Sequence, residues 1–380
     1  CGRAHYGSTC IFHHGLHIFK IDVYILMDGD DFGDRLGSSC QYVISFGKCR
    51  TDSKVAIDFS QFVIEDDEER LEDEVDNLMD LLSISPNELF GIHKSVTAFT
   101  LFPKLCSLSE SERIALNLTK IYDHFFKHLS DRPVGIQILT KVSGIPRGSG
   151  LGTSSILIVA AAEALRQVLI TDHVGHTVIT SKYYDELLQS ESKSHFHDMV
   201  NLGLAIEQVL TTGGGWQDQV GGMVSGLKLI ESEPINLNNC DRHAVPALTY
   251  SITSIALRTD RLQEFNNRML VVFTGKQRLA KNVLTNVVEN HIVSIGRTNS
   301  TLSDLKTVTK EMFSNMRDFF MNDTHDEQQL ELLGRHLTRV RDLNIELSMS
   351  TSHNMSPLFT RMQNMVYGTC MIGAGSGGFV

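Results

Sequence analysis

The chain has 380 residues, which is enough for two domains and a substantial buried core. Its hydrophobic content of 42% and its charged content of 21% are typical of a globular protein. The formal net charge of −11 argues against nucleic acid or an anionic membrane as a general partner, although a local site of N–H groups, basic side chains and Mg²⁺ can still bind an anionic nucleotide.

The predicted elements mix strands and helices along the chain. The acidic run at 65–80 carries Leu71, Val75, Leu78 and Met79 at helical spacing, and it therefore predicts an amphipathic helix with a solvated acidic face. Apolar patterns elsewhere before the middle of the chain predict strands at 16–27, 41–46, 54–64, 133–141 and 223–231, and helices at 110–128, 156–169, 182–190 and 195–210.

A polar segment at 234–246 predicts a domain boundary, which divides the chain into domains 1–240 and 241–380. In the second of these domains, apolar patterns predict strands at 249–258 and 268–274, and long helices at 280–298, 301–322 and 326–348.

The cysteines and the chain ends bear on location and completeness. Seven cysteines are scattered along the chain and form no Cys-x-x-Cys pair, which indicates reduced thiols in the cytosol. The sequence contains no apolar run of membrane-spanning length and no secretory signal, so we expect a cytoplasmic protein. Because the chain begins at Cys1 and ends just after a glycine-rich run, we expect it to be part of a longer polypeptide with further domains.

A glycine-rich loop at 144–155, with the sequence GIPRGSGLGTSS, stands immediately before an apolar helix. Its glycines allow a close approach of the backbone to a ligand, and the helix N-terminus offers N–H groups that bind phosphate. The loop is not a P-loop, because it lacks the lysine, nor a dinucleotide fingerprint, because Thr153 stands where the last glycine should be. We therefore predict phosphate binding; a plain capped helix after a flexible turn is the alternative.

A second informative stretch is GGGWQDQVGG at 213–222, which contains the single tryptophan of the chain. Phosphoryl transfer to an alcohol requires a carboxylate near the attacking hydroxyl, and a divalent cation held by a hydroxyl and a carboxylate. Asp218 is the candidate for the first carboxylate, and Ser154 and Glu207 are the candidates for the cation. The alternatives are an ordinary turn residue at Asp218 and a surface helix residue at Glu207.

Four segments in order resemble motifs of the GHMP kinases. The loop GSGLGTSS at 148–155 resembles their second motif, and GAGSGGF at 373–379 is similar to their third. The segments at 213–222 and 270–282 are similar to the L-fucokinase branch of the family and to the related heptose-phosphate kinases. Together the matching segments run from about residue 133 to the end of the chain.

The resemblance implies an α+β fold with two domains, the first like ribosomal protein S5 and the second ferredoxin-like, with ATP bound between them. It implies Mg²⁺-dependent transfer of the γ-phosphoryl group of ATP to a sugar hydroxyl, giving L-fucose 1-phosphate in fucose salvage toward GDP-fucose. In this interpretation Asp218 is the catalytic base, and Ser154 and Glu207 are the Mg²⁺ ligands. The residues implied to bind ATP are Arg147, Gly148, Ser149, Gly150, Leu151, Gly152, Thr153, Ser154, Ser155, Gly375, Ser376 and Gly377.

The first family motif has only a degenerate counterpart, at 2–10, in place of a basic residue and a Gly-Gly-Trp-Ser/Thr-Asp run. Since that motif shapes the sugar site, other functions stay open. One is a heptose-phosphate kinase or another sugar kinase of the family. Another is a nucleotide-binding pseudokinase or sugar sensor, and a third is a kinase domain fused to a nucleotidylyltransferase.

Overall fold

The computed structural model describes residues 20–26, 42–44, 60–65, 70–75, 78–85, 88–106, 136–143, 152–170, 177–179, 186–190, 193–210, 215–232, 248–275, 280–322, 327–348, 356–372 and 378–380. The chain divides into two compact units. The sheet unit consists of Ile18–Ile145 and Ser154–Gly213, and the helical unit of Cys1–His17, Pro146–Thr153 and Gly214–Val380. This division differs from the single domain boundary predicted near residue 240. The two family domains, 1–240 and 241–380, stay a prediction.

The described strands of the sheet unit are β1 (Lys20–Leu26), β2 (Tyr42–Ile44), β3 (Ser60–Glu65), β4 (Arg70–Val75), β5 (Ile136–Ser143) and β6 (Thr177–Ile179). Four of these six strands (β1, β2, β3 and β5) overlap strands predicted from the apolar patterns of the sequence, whereas β4 and β6 were not predicted. Within the described part of the unit, four strands form a sheet in the order β1-β5-β3-β4, in which β3 and β5 are parallel and the other pairs antiparallel. A separate antiparallel pair joins β2 to β6.

The helix predicted at 65–80 is wrong. Residues 70–75 form β4, which pairs antiparallel with β3 so that Val75 lies opposite Ser60, and helix begins only at Leu78. The error has a simple origin. Leu71 and Val75 are four residues apart, a spacing that fits both one turn of a helix and one face of a strand. Val75 is buried, so the apolar face of β4 serves the core of the sheet unit.

Four helices complete the described part of the sheet unit. They are α1 (Leu78–Leu82), α2 (Gly91–Cys106), α3 (Thr153–Ile170, from Ser154 onward) and α4 (Lys193–Leu210). Helices α3 and α4 confirm the predictions at 156–169 and 195–210, whereas α2 was not predicted. The predicted helix at 110–128 lies outside the described residues, and the one at 182–190 is helical at 186–189.

Helix α3 is buried on almost every side. Its residues from Ile156 to Leu165 are nearly all inaccessible to water, which is typical of a helix in the middle of a core rather than on its surface. The apolar, alanine-rich sequence that follows the glycine loop therefore has a packing role. By packing in the core, this apolar sequence also fixes the position of the first turn of α3.

The helical unit begins with α5 (Gln217–Met223) and the antiparallel pair β7 (Lys228–Ser232) and β8 (Tyr250–Ser254). Its remaining described helices are α6 (Thr259–Arg268), α7 (Ala280–Val293), α8 (Ile295–Met321), α9 (Glu327–Ser348) and α10 (Ser356–Met362). Their core includes Leu227, Ile255, Phe265, Met312, Met316, Phe319, Phe320, Leu330 and Leu333.

Several boundaries in the helical unit differ from the predicted ones. The break predicted after residue 298 falls at Ser294, and the predicted strand at 268–274 is reduced to one bridge between Phe273 and Phe379. Helix α6 was not predicted, because its sequence TDRLQEFNNR is mostly polar. Its buried Arg261 explains the position of α6: Nε donates to the Phe319 carbonyl at 3.0 Å, and the guanidinium lies over the Phe319 ring.

Among the described helices, none combines the length with the apolar character that a membrane crossing requires.

Helix α9 makes a close backbone contact at Gly334. A Cβ at this position would lie 2.5 Å from both the carbonyl carbon and the Cβ of Tyr367. A Cβ at Gly368 would in turn lie 1.7 Å from the Gly334 carbonyl oxygen. The two glycines therefore let a backbone segment cross α9 at a distance that no side chain permits.

Gly334→Ala should destabilise the helical unit by about 1–3 kcal/mol, because the added methyl overpacks this crossing. Gly296→Ala is the matched control, since position 296 on α8 has open space around it and alanine favours a helix by about 1 kcal/mol over glycine. Thermal unfolding followed by circular dichroism should show a lower midpoint for the first variant only. Equal midpoints for the two variants would contradict the close crossing.

Candidate active site

The last glycine of the glycine-rich loop contacts the predicted catalytic carboxylate. Gly152 has a φ of +70°, a conformation that side chains with L chirality rarely adopt. A Cβ at Gly152 would also lie 3.1 Å from the Cγ and 3.2 Å from the Cβ of Asp218. The backbone conformation therefore favours glycine, and a side chain at this position would be in tight contact with Asp218.

Asp218 lies in the first turn of α5, and the side chains that precede it in sequence make close contacts with their surroundings. Trp216 is 4% exposed and stacks on Tyr250, with ring centroids 6.3 Å apart and an angle of 12° between the planes. The side chain of Gln217 folds back over Gly215, where a Cβ would lie only 2.0 Å from its Oε1. Burial raises the pKa of the Tyr250 phenol, which stays neutral at physiological pH. These contacts restrain the segment that carries the half-buried Asp218.

The other end of α5 is held by a buried lysine. Lys228 on β7 donates from Nζ to the carbonyl of Val224, the residue that follows the helix. A cation at a helix C-terminus satisfies a carbonyl with no partner inside the helix and interacts favourably with the helix dipole. Lys228 therefore fixes α5 relative to the β7–β8 pair.

In the sheet unit, Ser155 contacts the predicted metal ligand. Ser155 is 1% exposed, and its Oγ donates to Oε2 of Glu207 at 2.7 Å. The hydroxyl that was predicted to bind nucleotide is thus directed at a carboxylate of α4. Ser154, one residue earlier, is exposed in the first turn of α3, where a helix presents backbone N–H groups without intrahelical acceptors.

A second carboxylate, which is fully buried, joins the same two helices. Glu163 on α3 has an exposure of 0%, and Arg166 binds it through two contacts, Nε to Oε2 at 3.0 Å and Nη2 to Oε1 at 2.9 Å. His195 Nε2 on α4 lies 2.8 Å from Oε2. This cluster was missed in the sequence, although one signal for it exists. A single acidic residue inside the apolar run ILIVAAAEAL indicates a buried and paired charge.

The structure describes only part of the predicted set. Gly152, Thr153, Ser154, Ser155, Glu207 and Asp218 are described. Arg147, Gly148, Ser149, Gly150, Leu151, Gly375, Ser376 and Gly377 lie outside the described residues. Within the helical unit Gly152 and Asp218 are brought together, and within the sheet unit Ser155 and Glu207 are. The catalytic and binding roles of all these residues stay predictions.

Residues 117–226 match the GHMP kinases N terminal domain. The bifunctional fucokinase/GDP-fucose pyrophosphorylase of Arabidopsis thaliana is 32% identical over 238 residues, which are 62% of this chain and 19% of that protein. The L-fucokinase/L-fucose-1-P guanylyltransferase of Bacteroides fragilis is 26% identical over 260 residues, which are 68% of this chain and 23% of that protein. The matched region thus spans about a fifth of each of these relatives.

Two solved structures align with most of the chain at low identity. A Lin0012 protein from Listeria innocua aligns with a TM-score of 0.49 and 13% identity, over 86% of this chain and 78% of that one. The mevalonate kinase of L. major in complex with R-mevalonate aligns with a TM-score of 0.45 and 12% identity, over 85% and 73%.

The matched domain, with the motifs in their order, defines the class: residues 117–226 of the chain carry a GHMP kinase N-terminal domain. The two curated relatives to which the chain is similar are both named as fucokinases. The resemblance expected from the motifs is thereby confirmed, and so is the α+β class, in which the described strands and helices agree with a GHMP kinase fold. The S5-like and ferredoxin-like halves stay a prediction.

Tyr250→Leu should loosen the segment before Asp218, because it removes the ring on which Trp216 stacks. The loss of an aromatic pair costs about 0.5–1.5 kcal/mol beyond the area it buries. Trp216 is the single tryptophan, so its fluorescence reports on this segment alone. We expect emission at longer wavelength and stronger quenching by acrylamide, whereas Tyr367→Leu, at an exposed tyrosine, should change neither. Unchanged emission in Tyr250→Leu would contradict the stack.

Proposed function

We propose that this chain is an ATP-dependent sugar kinase that transfers the γ-phosphoryl group of ATP to a hydroxyl of L-fucose. The product would be L-fucose 1-phosphate, and the step belongs to fucose salvage toward GDP-fucose. The matched GHMP kinase domain and the two relatives named as fucokinases support the proposal. Its central observation is the contact between Gly152 and Asp218, because it joins a phosphate-binding type of loop to a carboxylate suited to the acceptor hydroxyl.

Asp218 is assigned to the acceptor hydroxyl, whose proton it accepts or whose oxygen it orients. A positioned base of this kind contributes typically about 10²–10⁴-fold to the rate. The constraints on both ends of α5 support the assignment. Trp216 and Lys228 hold the helix, and the Gly152 backbone limits the freedom of the carboxylate. Such preorganisation is the main contribution that a protein makes to phosphoryl transfer.

ATP bound with Mg²⁺ supplies the phosphoryl group and neutralises the charge that develops during its transfer. We assign Ser154 and Glu207 to Mg²⁺, because a hydroxyl and a carboxylate are the hard oxygen donors that this ion takes. The exposed position of Ser154 at a helix start and the hydrogen bond that orients Glu207 both fit such a role. Among the described residues, no group of three or more His, Cys, Asp and Glu side chains forms a metal site of its own.

We assign the nucleotide phosphates to the loop residues 147–154 and to 375–377, following the family motifs, whereas the Ser155 hydroxyl is engaged with Glu207. Gly152 supports this assignment, since its left-handed backbone is the conformation for which a loop employs glycine. The scattered cysteines support a cytosolic location.

Asp218→Asn should lower kcat for L-fucose by about 10²-fold or more, while the affinity for ATP stays near that of the wild type. The measurement is ATP- and Mg²⁺-dependent phosphorylation of L-fucose by the chain. Asp260→Asn is the matched control, because it makes the same chemical change at an exposed aspartate of α6. An unchanged kcat in Asp218→Asn would remove Asp218 as the base.

The acceptor itself is tested with the same assay. Turnover on a heptose phosphate, with none on L-fucose, would show that the chain is a kinase with a different substrate from the one proposed. Binding of ATP without turnover on any sugar would replace the kinase with a nucleotide-binding sensor.

Gly152→Ala should lower kcat by about tenfold, because the new methyl forces the Asp218 side chain to move by a few tenths of an ångström, and misplacement of a catalytic group is costly. The control is Gly226→Ala. Gly226 has a similar φ of +75°, but its Cβ would meet only Leu257, at 3.8 Å. Both variants carry the strain of a left-handed alanine, about 1–2 kcal/mol, so both should show a similar loss of stability. Equal losses of kcat in the two would show that strain alone is responsible.

A further inference from the structure

Glu207 lies on α4, whose orientation is set by its packing against α2 and by polar contacts with α3. The buried residues of α4 form one apolar face, which comprises Phe196, Met199, Val200, Gly203, Ile206 and Leu210. Apolar contacts determine which face of a helix is buried, but they are not directional. The directional contacts with α3 further specify the axial position of α4.

Two hydrogen-bonded contacts between described residues join α3 to α4. At one end, the buried Ser155 donates to Glu207 Oε2 at 2.7 Å. Toward the other end, His195 Nε2 lies 2.8 Å from Glu163 Oε2. The order of the contacts makes the helices antiparallel, and it places the two contacts about 18 Å apart along α4.

These contacts are sensitive to the position of the helix. A slide of one residue moves each side chain by about 1.5 Å along the axis, whereas a hydrogen bond near 2.7 Å is lost beyond about 3.2 Å. Glu163 is in addition fixed on its own helix, because its buried carboxylate is bound by two nitrogens of Arg166, Nε and Nη2. A buried charge of this kind does not leave its partner without a large cost in free energy. His195 therefore binds to a rigid acceptor.

We propose that Ser155, together with the Glu163–His195 contact, is a positioning device that holds the carboxylate of Glu207 in place for the metal–nucleotide complex. The inference rests on the proposed function, since it requires Glu207 to be a metal ligand. It changes the role expected for Ser155, which acts on Glu207 and not on the nucleotide. Ser154 keeps the role of the ligand hydroxyl.

The first test measures binding of Mn²⁺ with ADP to the chain by calorimetry and by electron paramagnetic resonance. Ser155→Ala should weaken Mn²⁺ binding by about tenfold, the usual cost of removing a group that orients a metal ligand, and leave the affinity for metal-free ADP unchanged. Ser155→Thr should restore it, because threonine keeps the hydroxyl. Thr97→Val is the matched control: it removes a buried hydroxyl that donates to the His93 carbonyl of its own helix, α2.

The second test asks whether the two contacts act together. His195→Leu should also weaken Mn²⁺ binding, and His195→Gln should restore it, since the glutamine amide can donate to Glu163. In the double variant Ser155→Ala with His195→Leu, the loss should be smaller than the product of the two single losses, because both act through the position of α4. If His195→Leu does not fold, the Ser155 series alone decides.

The outcomes separate the inference from the proposed function. If Ser155→Ala behaves like Thr97→Val, or if Ser155→Thr restores nothing, the inference is overturned whether or not the wild type phosphorylates L-fucose. If the wild type binds Mn²⁺ and ADP with the expected response to Ser155 but phosphorylates no sugar, only the kinase function fails. If the wild type does not bind Mn²⁺ with ADP, both fail.

Discussion

The contact between the Gly152 backbone and the Asp218 side chain is the constraint on which the candidate site depends. A glycine loop alone is a common feature, and an aspartate after glycines is commonly a turn residue. Their proximity supports a shared function more strongly than either feature alone. It depends on two separate structural features, the left-handed backbone at Gly152 and the first turn of α5. Trp216, Tyr250 and Lys228 then supply the rigidity that a catalytic carboxylate needs.

In the sheet unit, buried polar groups help to specify how the helices are arranged. The core around α3 is almost wholly apolar, and apolar packing tolerates small displacements of its helices. Ser155 and Glu163 are exceptions within that core, and their directional bonds to Glu207 and to the partly exposed His195 specify one arrangement. The helical unit uses Arg261 in a comparable way, since its buried guanidinium joins α6 to the Phe319 carbonyl of α8.

Much of the fold could be predicted from the sequence, and the failures have physical reasons. Long helical runs, such as α3, α4 and α9, were predicted to within three residues at each end. The strand β4 was not, because Leu71 and Val75 fit a helix as well as a strand, and only pairing with β3 decides between them. Helix α6 was not predicted, because its sequence is mostly polar. The residue types of the candidate site follow from the sequence and stay a prediction, but local sequence does not reveal that Ser155 donates to Glu207, since the tertiary packing of α4 decides it.

The restriction at Gly152 is one of handedness rather than of size. At a φ of +70° an L residue is strained, whereas a D residue is at ease. The Cβ of a D residue also replaces the other α-hydrogen, so it points away from the direction in which an L side chain meets Asp218. A semisynthetic chain with D-alanine at position 152 would therefore keep the loop conformation and spare the carboxylate. Of the genetically encoded residues, only the one without chirality meets both demands.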